Sequence, residues 1–145
     1  MRSILLLGVL LMSSQLAFAD AAADIAYRQG VMKSVGGHMA SIGAILRGQV
    51  HFEDLASHSN AMAELSKIVP KVFPAGSGDG KTEALPAIWG KPDAFKSALD
   101  KFVEAAGTMA TAGSGGDPAQ IGAAVRDLGQ SCKGCHDDFR EEHEH

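Results

Sequence analysis

Cysteine and histidine side chains occur together in one short run near the C-terminus of this 145-residue chain. Cys132 and Cys135 are separated by two residues, and His136 follows the second cysteine directly. Cys-x-x-Cys-His is the attachment signature of c-type haem. Two thiols can add to the two vinyl groups as thioethers, and an imidazole nitrogen can bind the iron from one face of the ring. The motif therefore predicts one covalently bound haem c per chain, with His136 as the proximal iron ligand.

Three other uses of the same cysteines remain open from the residues alone. A thioredoxin-like redox pair has this spacing, but it stands at the start of a helix that follows a strand. A single disulfide forms readily in an oxidising compartment. A zinc ion would need a fourth ligand besides Cys132, Cys135 and His136, for example from the tail at residues 143–145. The histidine and the helical context of the motif favour haem over these alternatives.

The element that must position the motif is a helix with an apolar stripe. Its start is marked by Asp117, an N-cap carboxylate, and by Pro118 at the first helical position. Apolar residues then recur at steps of four and three, and both cysteines lie on the stripe. The stripe consists of Ile121, Val125, Leu128, Cys132, Cys135 and Phe139. A haem held by both cysteines is therefore expected on the inner side of this helix.

Three further runs have helical periodicity, and no segment alternates with the period of a strand. A glycine- and proline-rich link separates the second run from the third. The predicted helices extend from Asp20 to Arg47, from Glu53 to Val72, from Pro92 to the glycines that begin at Gly113, and from Pro118 to Phe139. Short links between most of them predict an all-α fold, an antiparallel up-and-down four-helix bundle with the haem near one end.

The first nineteen residues have the features of an export signal. A basic start is followed by a nine-residue apolar run from Ile4 to Met12, and Ala17-Phe18-Ala19 fits the small-x-small pattern of signal peptidase. Such a run is too short for a bilayer of ~30 Å, which takes about 20 helical residues. We expect a cleaved signal peptide at residues 1–19, a haem domain at residues 20–145, a periplasmic location and no membrane span.

The charge balance excludes several classes of partner. The chain has 13 basic and 17 acidic residues, for a formal charge of −4, and it has no basic run. Nucleic acids and anionic lipids both require a positive surface, so neither is expected as a partner. No nucleophile stands beside a base, so no enzyme is expected either. Aromatic residues make up only 6% of the chain, so few large side chains are available to fill the core. A bound haem would fill the remaining space.

Three segments together resemble the class II c-type cytochromes, the family typified by cytochrome c′. They are the haem motif within residues 131–140, the run Tyr-Arg-Gln-Gly-Val-Met-Lys at residues 27–33, and Leu-Pro-Ala-Ile-Trp at residues 85–89. The resemblance covers essentially the whole chain after residue 19. It implies a four-helix haem domain that pairs as a homodimer through its first two helices and exchanges electrons with periplasmic redox proteins.

The resemblance also assigns roles to individual residues. Arg28 and Gln29 match positions that contact one haem propionate, and Glu83 lies where the family's loop approaches the other. Phe139 and Arg140 would pack beside the proximal histidine. Arg28 is unusual on its own account, because it stands on the apolar stripe of the first helix. Two explanations account for a guanidinium at this position. Either it binds a carboxylate in a partly buried site, or its charged group extends to solvent near a helix end.

Met32 separates two functional hypotheses. It matches the distal position, where most cytochromes c′ have an apolar residue that covers a five-coordinate, high-spin iron and where low-spin relatives have a ligating methionine. With Met32 as the sixth ligand, the protein is an electron carrier, which is the main expectation. Without that bond, the distal side would bind nitric oxide or carbon monoxide. Met32 also belongs to the apolar stripe of its helix, so core packing alone would account for it.

Overall fold

Four long helices and one short helix make up the fold. The computed structural model describes the backbone of residues 5–142 and the side chains of residues 21–142. The helices are α1 (Leu5–Gly48), α2 (Leu55–Ser66), α3 (Ala87–Gly90), α4 (Pro92–Gly115) and α5 (Pro118–Phe139), with short 3-10 helices at Phe52–Asp54 and Val69–Lys71. Within residues 5–142 there is no β-strand, and the only bridge pairs Ala84 with Arg140. The predicted all-α four-helix bundle is confirmed, with α1, α2, α4 and α5 as its members.

Two element predictions need correction. The second helix was expected to reach Val72, but α2 ends at Ser66. Pro70 explains the early end, because a proline ring clashes with the carbonyl four residues earlier, here that of Ser66. The short helix α3 was not expected at all.

The start of α5 agrees with the prediction, since Asp117 Oδ1 accepts a hydrogen bond of 2.9 Å from the Ala119 amide.

The N-terminal region is described only in part. Helix α1 begins at Leu5, so its backbone continues into the predicted signal peptide. The side chains before Ala21 lie outside the described residues, as does the tail at residues 143–145. Cleavage after Ala19 therefore stays a prediction. Among the described residues, no helix combines the length and the apolar content needed to cross a bilayer.

The long helices pack in chain order. Helix α1 packs against α2, α2 against α4, and α4 against α5, whereas α1 and α5 make little close backbone contact over the described residues. Gly113 on α4 permits the close approach of α2, because a Cβ at this position would lie 2.6 Å from Ser59 Oγ. The predicted stripe of α4 is buried throughout: Phe95, Leu99, Phe102, Ala106 and Met109. The bundle is therefore tight on three sides and looser between its first and last helices.

Burial along α1 shows the same asymmetry. Val35 and Ile42, which lie on its apolar stripe, are buried. The stripe residues Met32, Met39 and Leu46 are only partly buried, although they pack against the core. Met39 faces α5, because its Cε lies 3.8 Å from the position that a Cβ would take on Gly129. The loosely covered edge of α1 is thus the edge that faces the helix with the haem motif.

Candidate functional site

Cys132 and Cys135 lie in the last two turns of α5, partly buried against the core, and they form no disulfide with each other. Burial raises the pKa of the Cys132 thiol. Burial, together with Cys132 and Asp138, raises the pKa of Cys135 to about 11. A redox-active cysteine has the opposite shift, because it reacts as the thiolate. The thioredoxin-like alternative is therefore not supported, and two uncharged thiols on an apolar face suit attachment to a porphyrin.

The zinc alternative finds no support in the geometry either. Within residues 21–142, one group of three potential metal ligands converges, formed by the exposed residues His51, Glu53 and Asp54. Neither cysteine of the motif belongs to a converging group, nor does His136. The tail histidines that were considered as a fourth ligand lie outside the described residues. A zinc site would need ligands to converge, which the described part of the haem motif does not show.

His136 is half-buried on the turn after Cys135. Burial is the main cause that lowers its pKa, and the positive charge of Arg140 adds to it, while Asp137 and Glu83 act in the opposite direction. A lowered pKa favours the neutral imidazole, whose free nitrogen lone pair is what a metal binds. His136 is thus held in the protonation state that an iron ligand requires.

Met32 on α1 and His136 on α5 lie at about the same level along the axis of the bundle. Met39 and Gly129 mark a contact between α1 and α5, and Met32 is seven residues before Met39 while His136 is seven residues after Gly129. The helices run antiparallel, because the same loop contacts Arg28, which precedes Met39 on α1, and the C-terminal end of α5, which follows Gly129. Seven residues of helix span about 10 Å on each side of the contact. The two residues therefore lie at about the same level of the bundle, on two helices that make little close backbone contact over the described residues.

Arg28 is 3% exposed and is surrounded by the loop between α2 and α3. Its Nη1 donates to Ser77 Oγ at 2.7 Å and to the Val72 carbonyl at 3.3 Å. Its Nη2 donates to the Ser77 carbonyl and to Thr82 Oγ1, both at 2.8 Å. The guanidinium also lies over the Phe73 ring, 5.1 Å from its centroid. The propionate contact of Arg28 stays a prediction, while the structure shows Arg28 as an anchor of this loop.

Burial lowers the pKa of Arg28, and the charge of Asp24 partly opposes the effect. A guanidinium remains charged in proteins even so. Gln29, the other residue expected at a propionate, donates through Nε2 to the Lys81 carbonyl at 2.9 Å. Both residues thus bind the same loop. The acceptors Ser77 and Thr82 were not identified from the sequence, because a hydroxyl in a glycine-rich loop carries no pattern that reveals its partner.

The same loop is held from its other side by Trp89 of α3. The indole Nε1 donates to the carbonyls of Phe73 and Pro74 at 3.3 and 3.2 Å. Gly78 makes room for the ring, because a Cβ there would lie 2.9 Å from it. The loop is thereby fixed between the first helix and the short third helix.

The end of the loop crosses the C-terminal end of α5. The Leu85 amide donates to the Phe139 carbonyl at 3.0 Å, and the Glu141 amide donates to the Glu83 carbonyl at 2.8 Å. This contact brings Glu83 close enough to raise the pKa of His136. Phe139 is buried and packs edge-on against Phe95 with ring centroids 5.0 Å apart. The roles of Glu83, Phe139 and Arg140 toward a haem stay predictions.

His38 stands beside the apolar stripe of α1, where a distal acid or iron ligand would be placed, but the structure gives it another partner. Its Nδ1 lies 3.0 Å from Nδ1 of His58 on α2. The ring centroids are 5.2 Å apart, so the two nitrogens face each other almost directly. His38 therefore faces α2 and not the edge of α1 that borders the haem motif.

A cleft of about 570 Å³ lies between α4 and α5. Cys135 and Phe139 line it, together with charged residues that include Lys101, Glu104 and Asp127. The lining of the cleft includes these charged side chains, whereas the edge of α1 that faces α5 carries methionines. Cys135 thus borders both the interior of the bundle and a groove that solvent can enter.

A four-helix bundle with Cys-x-x-Cys-His on its last helix defines a haem-binding protein of the c type. The residues present fit that group, because the two thiols are uncharged and partly buried, the imidazole is neutral, and the facing edge of α1 is apolar. No buried side-chain nitrogen or oxygen among the described residues lacks a hydrogen bond, so the polar groups that the loop covers are bonded to other groups of this chain.

Comparisons with known proteins agree with this class. A family model for Cytochrome C' matches residues 23–140. A cytochrome c' from Pararhodospirillum photometricum is 41% identical over 125 residues, which is 85% of this chain and 100% of that protein. The crystal structure of cytochrome c' from Rubrivivax gelatinosus has a TM-score of 0.77 at 38% identity and covers 81% of this chain and 94% of that one.

A nitric oxide complex of a mutant cytochrome c prime from Alcaligenes xylosoxidans also has a TM-score of 0.77, at 26% identity, and covers 84% of this chain and 97% of that one. The chain belongs to the cytochrome c′ family. It is therefore a haem protein with covalently bound haem c, and Cys132 and Cys135 are the only cysteines in its sequence.

Proposed function

We propose that this protein binds nitric oxide or carbon monoxide, with His136 as the proximal ligand of its haem and Met32 covering the distal side. The observation that carries the proposal is the placement of Met32 opposite His136, on two helices that make little close backbone contact. When bound there, the haem supplies an iron atom to which a diatomic ligand can bind. The relative solved as a nitric oxide complex gives this proposal further support.

The distal side that we propose is apolar. Met32 packs against the buried core, and Met39 of the same edge contacts α5 at Gly129. Two polar candidates on α1 are engaged elsewhere, since Arg28 donates to the loop and His38 faces His58. Apolar walls exclude water and ions, because a polar solute would lose its hydrogen bonds on entry. Such a site favours small uncharged ligands and offers no acid for oxygen–oxygen cleavage.

The electron-carrier hypothesis from the sequence required Met32 as a sixth ligand. Its packing against the core matches a covering role equally well, and the relative in complex with nitric oxide favours that role. Optical spectra of the oxidised and reduced holoprotein distinguish the two. We expect high-spin spectra in both states, no methionine-to-iron charge-transfer band, and a new spectrum of the reduced protein on addition of nitric oxide or carbon monoxide.

Two variants complete this experiment. Met32→Ala should keep the high-spin spectra, and Met39→Ala serves as the control because it removes the same side chain two turns further along the same helix. A charge-transfer band that is present in the wild type and disappears only in Met32→Ala would overturn the proposal in favour of an electron carrier. Purified protein from a host with haem-attachment machinery but without covalent haem would overturn both.

The cleft beside Cys135 supports electron transfer as a second candidate function. A thioether at Cys135 would lie at a groove that a docked partner protein can reach, and electron exchange does not require a sixth ligand. Glu104 and Asp127 at the cleft favour a partner with basic residues. The test measures the rate at which a basic electron-donor protein reduces the haem. This rate should decrease as the ionic strength rises, and at a given ionic strength it should be lower in Glu104→Lys than in the wild type. A rate that is unaffected by either change would exclude docking at the cleft.

We also propose that the protein is exported to the periplasm and forms a homodimer through α1 and α2. The features of residues 1–19 support export, and the family resemblance supports the homodimer. Mass spectrometry of the secreted protein should find Asp20 as the first residue. Analytical ultracentrifugation should find twice the mass of the chain, and a monomer at micromolar concentration would contradict the dimer.

A further inference from the structure

A series of hydrogen bonds, joined by short stretches of backbone, connects the first helix with the last turn of α5. Its first step is Arg28 on α1, whose Nη2 donates to Thr82 Oγ1 at 2.8 Å. Arg28 is itself fixed by the Ser77 hydroxyl and carbonyl and by the Val72 carbonyl. Because the guanidinium is planar and donates in several directions at once, its orientation leaves Thr82 little freedom.

The second step leads through the loop. The same Thr82 Oγ1 accepts a hydrogen bond of 3.1 Å from the Ala84 amide. One hydroxyl oxygen thus joins the arginine of α1 to the backbone two residues along the loop. Ala84 is also the residue that forms the isolated bridge with Arg140. The hydroxyl of Thr82 therefore holds the short stretch that contacts α5.

The third step reaches the end of α5. The loop exchanges two hydrogen bonds with this end, from the Leu85 amide to the Phe139 carbonyl at 3.0 Å and from the Glu141 amide to the Glu83 carbonyl at 2.8 Å. The Arg140 amide in turn donates to the His136 carbonyl at 3.1 Å. The last carbonyls of a helix lack partners within the helix, and the ends of helices fray unless something else binds them. The loop supplies one such partner, because the Leu85 amide binds the Phe139 carbonyl three residues after His136.

We propose that Arg28 and Thr82 are positioning residues for His136: through the loop at residues 82–85 they hold the last turn of α5 and so set the orientation of its imidazole toward the iron. The inference rests on the proposed role of His136 as proximal ligand. It differs from a propionate contact, because it gives Arg28 a role through the protein backbone. Neither residue need touch the iron or its ligand for this effect.

The test compares Thr82→Val, which removes the hydroxyl and keeps the shape of the side chain, with Thr82→Ser, which keeps the hydroxyl. Amide hydrogen exchange of the holoprotein should be about tenfold faster at Ala84, Leu85 and Glu141 in Thr82→Val and unchanged in Thr82→Ser, because local opening becomes easier when an anchor is lost. The hyperfine-shifted proton resonances of the His136 ring and the haem methyls in the oxidised protein should move in Thr82→Val and return in Thr82→Ser.

Thr111→Val is the matched control. It makes the same substitution at an exposed site of α4, where the hydroxyl donates only to the Gly107 carbonyl one turn earlier. It should leave both the exchange rates and the shifted resonances unchanged. If Thr82→Val does not fold, Ser77→Ala removes another acceptor of Arg28 and should change both measurements in the same direction.

Faster exchange without movement of the His136 resonances would overturn the proposal, because the loop would then be anchored without positioning the ligand. Unchanged exchange would overturn it as well. The experiment does not depend on gas binding, since the oxidised haem protein gives shifted resonances in either coordination state. Failure of the wild type to bind nitric oxide would count against the proposed function alone, and absence of His136 from the shifted resonances would count against its role as ligand.

Discussion

Met39 and Gly129 form the contact between the first and last helices: Met39 Cε lies 3.8 Å from the position that a Cβ would occupy on Gly129. That distance is an ordinary van der Waals contact, so a methyl group on Gly129 would fit beside Met39, whereas a larger side chain would have to displace it. Substitutions at Gly129 should therefore change how closely α1 and α5 approach each other at this point.

Gly129→Leu should destabilise the protein by about 1–3 kcal/mol, because the added side chain must displace Met39 and force α1 away from α5. Gly129→Ala should instead be neutral or stabilising by up to about 1 kcal/mol, since alanine has the higher helix propensity. Urea unfolding of the holoprotein measures both changes. Gly107 on α4 is the matched control, because a Cβ there would meet nothing within 4 Å. Equal stability of Gly129→Leu and Gly107→Leu would contradict the contact.

Met32→Ala should accelerate carbon monoxide binding to the reduced protein. If Met32 covers the distal side, each incoming ligand must displace a partly buried side chain. If this displacement costs about 1.5 kcal/mol, removal of the side chain should raise the association rate about tenfold. Stopped-flow or flash-photolysis kinetics give the rate. Met39→Ala should change it much less, and a rate that rises equally in both variants would show that Met32 has no special place on the path.

Trp89→Phe should loosen the loop at Phe73 and Pro74 without removing an aromatic ring. It abolishes the indole N–H that donates to both carbonyls. We expect a loss of about 1 kcal/mol in unfolding free energy, the usual contribution of a hydrogen bond of this kind. Limited proteolysis should cut the loop faster in this variant. Gly78→Ala should act in the same direction, because its Cβ would overlap the Trp89 ring.

The cysteine pKa values predict a pH dependence that separates the haem-free chain from the holoprotein. Burial keeps Cys135 protonated up to a pKa of about 11 in the folded chain, above its ordinary value of 9.0. The folded state therefore binds this proton more tightly than the unfolded state, and the resulting stability is present below pH 9 and lost as the pH rises toward 11. Thioethers do not titrate, so the holoprotein should lack this loss.

Chemical denaturation of both forms at pH 8 and pH 10 measures the difference. The haem-free chain also allows an independent check, because its alkylation by iodoacetamide at pH 8 should be at least about tenfold slower than that of a free cysteine. Alkylation at the rate of the free amino acid would mean that the thiols are exposed without haem.

Much of this protein could be predicted from local sequence. The stripe from Phe95 to Met109 is buried as its spacing predicts, because a helix with one apolar face has one way to hide it. The start of α5 at Asp117 follows from a cap and a proline that act within a few residues. The haem motif is also local, since its three functional residues occupy five consecutive positions.

The tertiary structure decided the features that depend on distant parts of the chain. The loop that anchors on Arg28 lies 44 to 54 residues away in sequence, and no periodicity relates an arginine to a hydroxyl at that separation. The role of Gly129 likewise depends on a methionine from the opposite end of the chain, because a close approach is a property of two helices and not of one. The sequence by itself therefore determined the four long helices and the family, and it predicted the cofactor-binding residues. Only the tertiary structure decided that α1 and α5 make little close backbone contact and that one loop binds both Arg28 of α1 and the C-terminal end of α5.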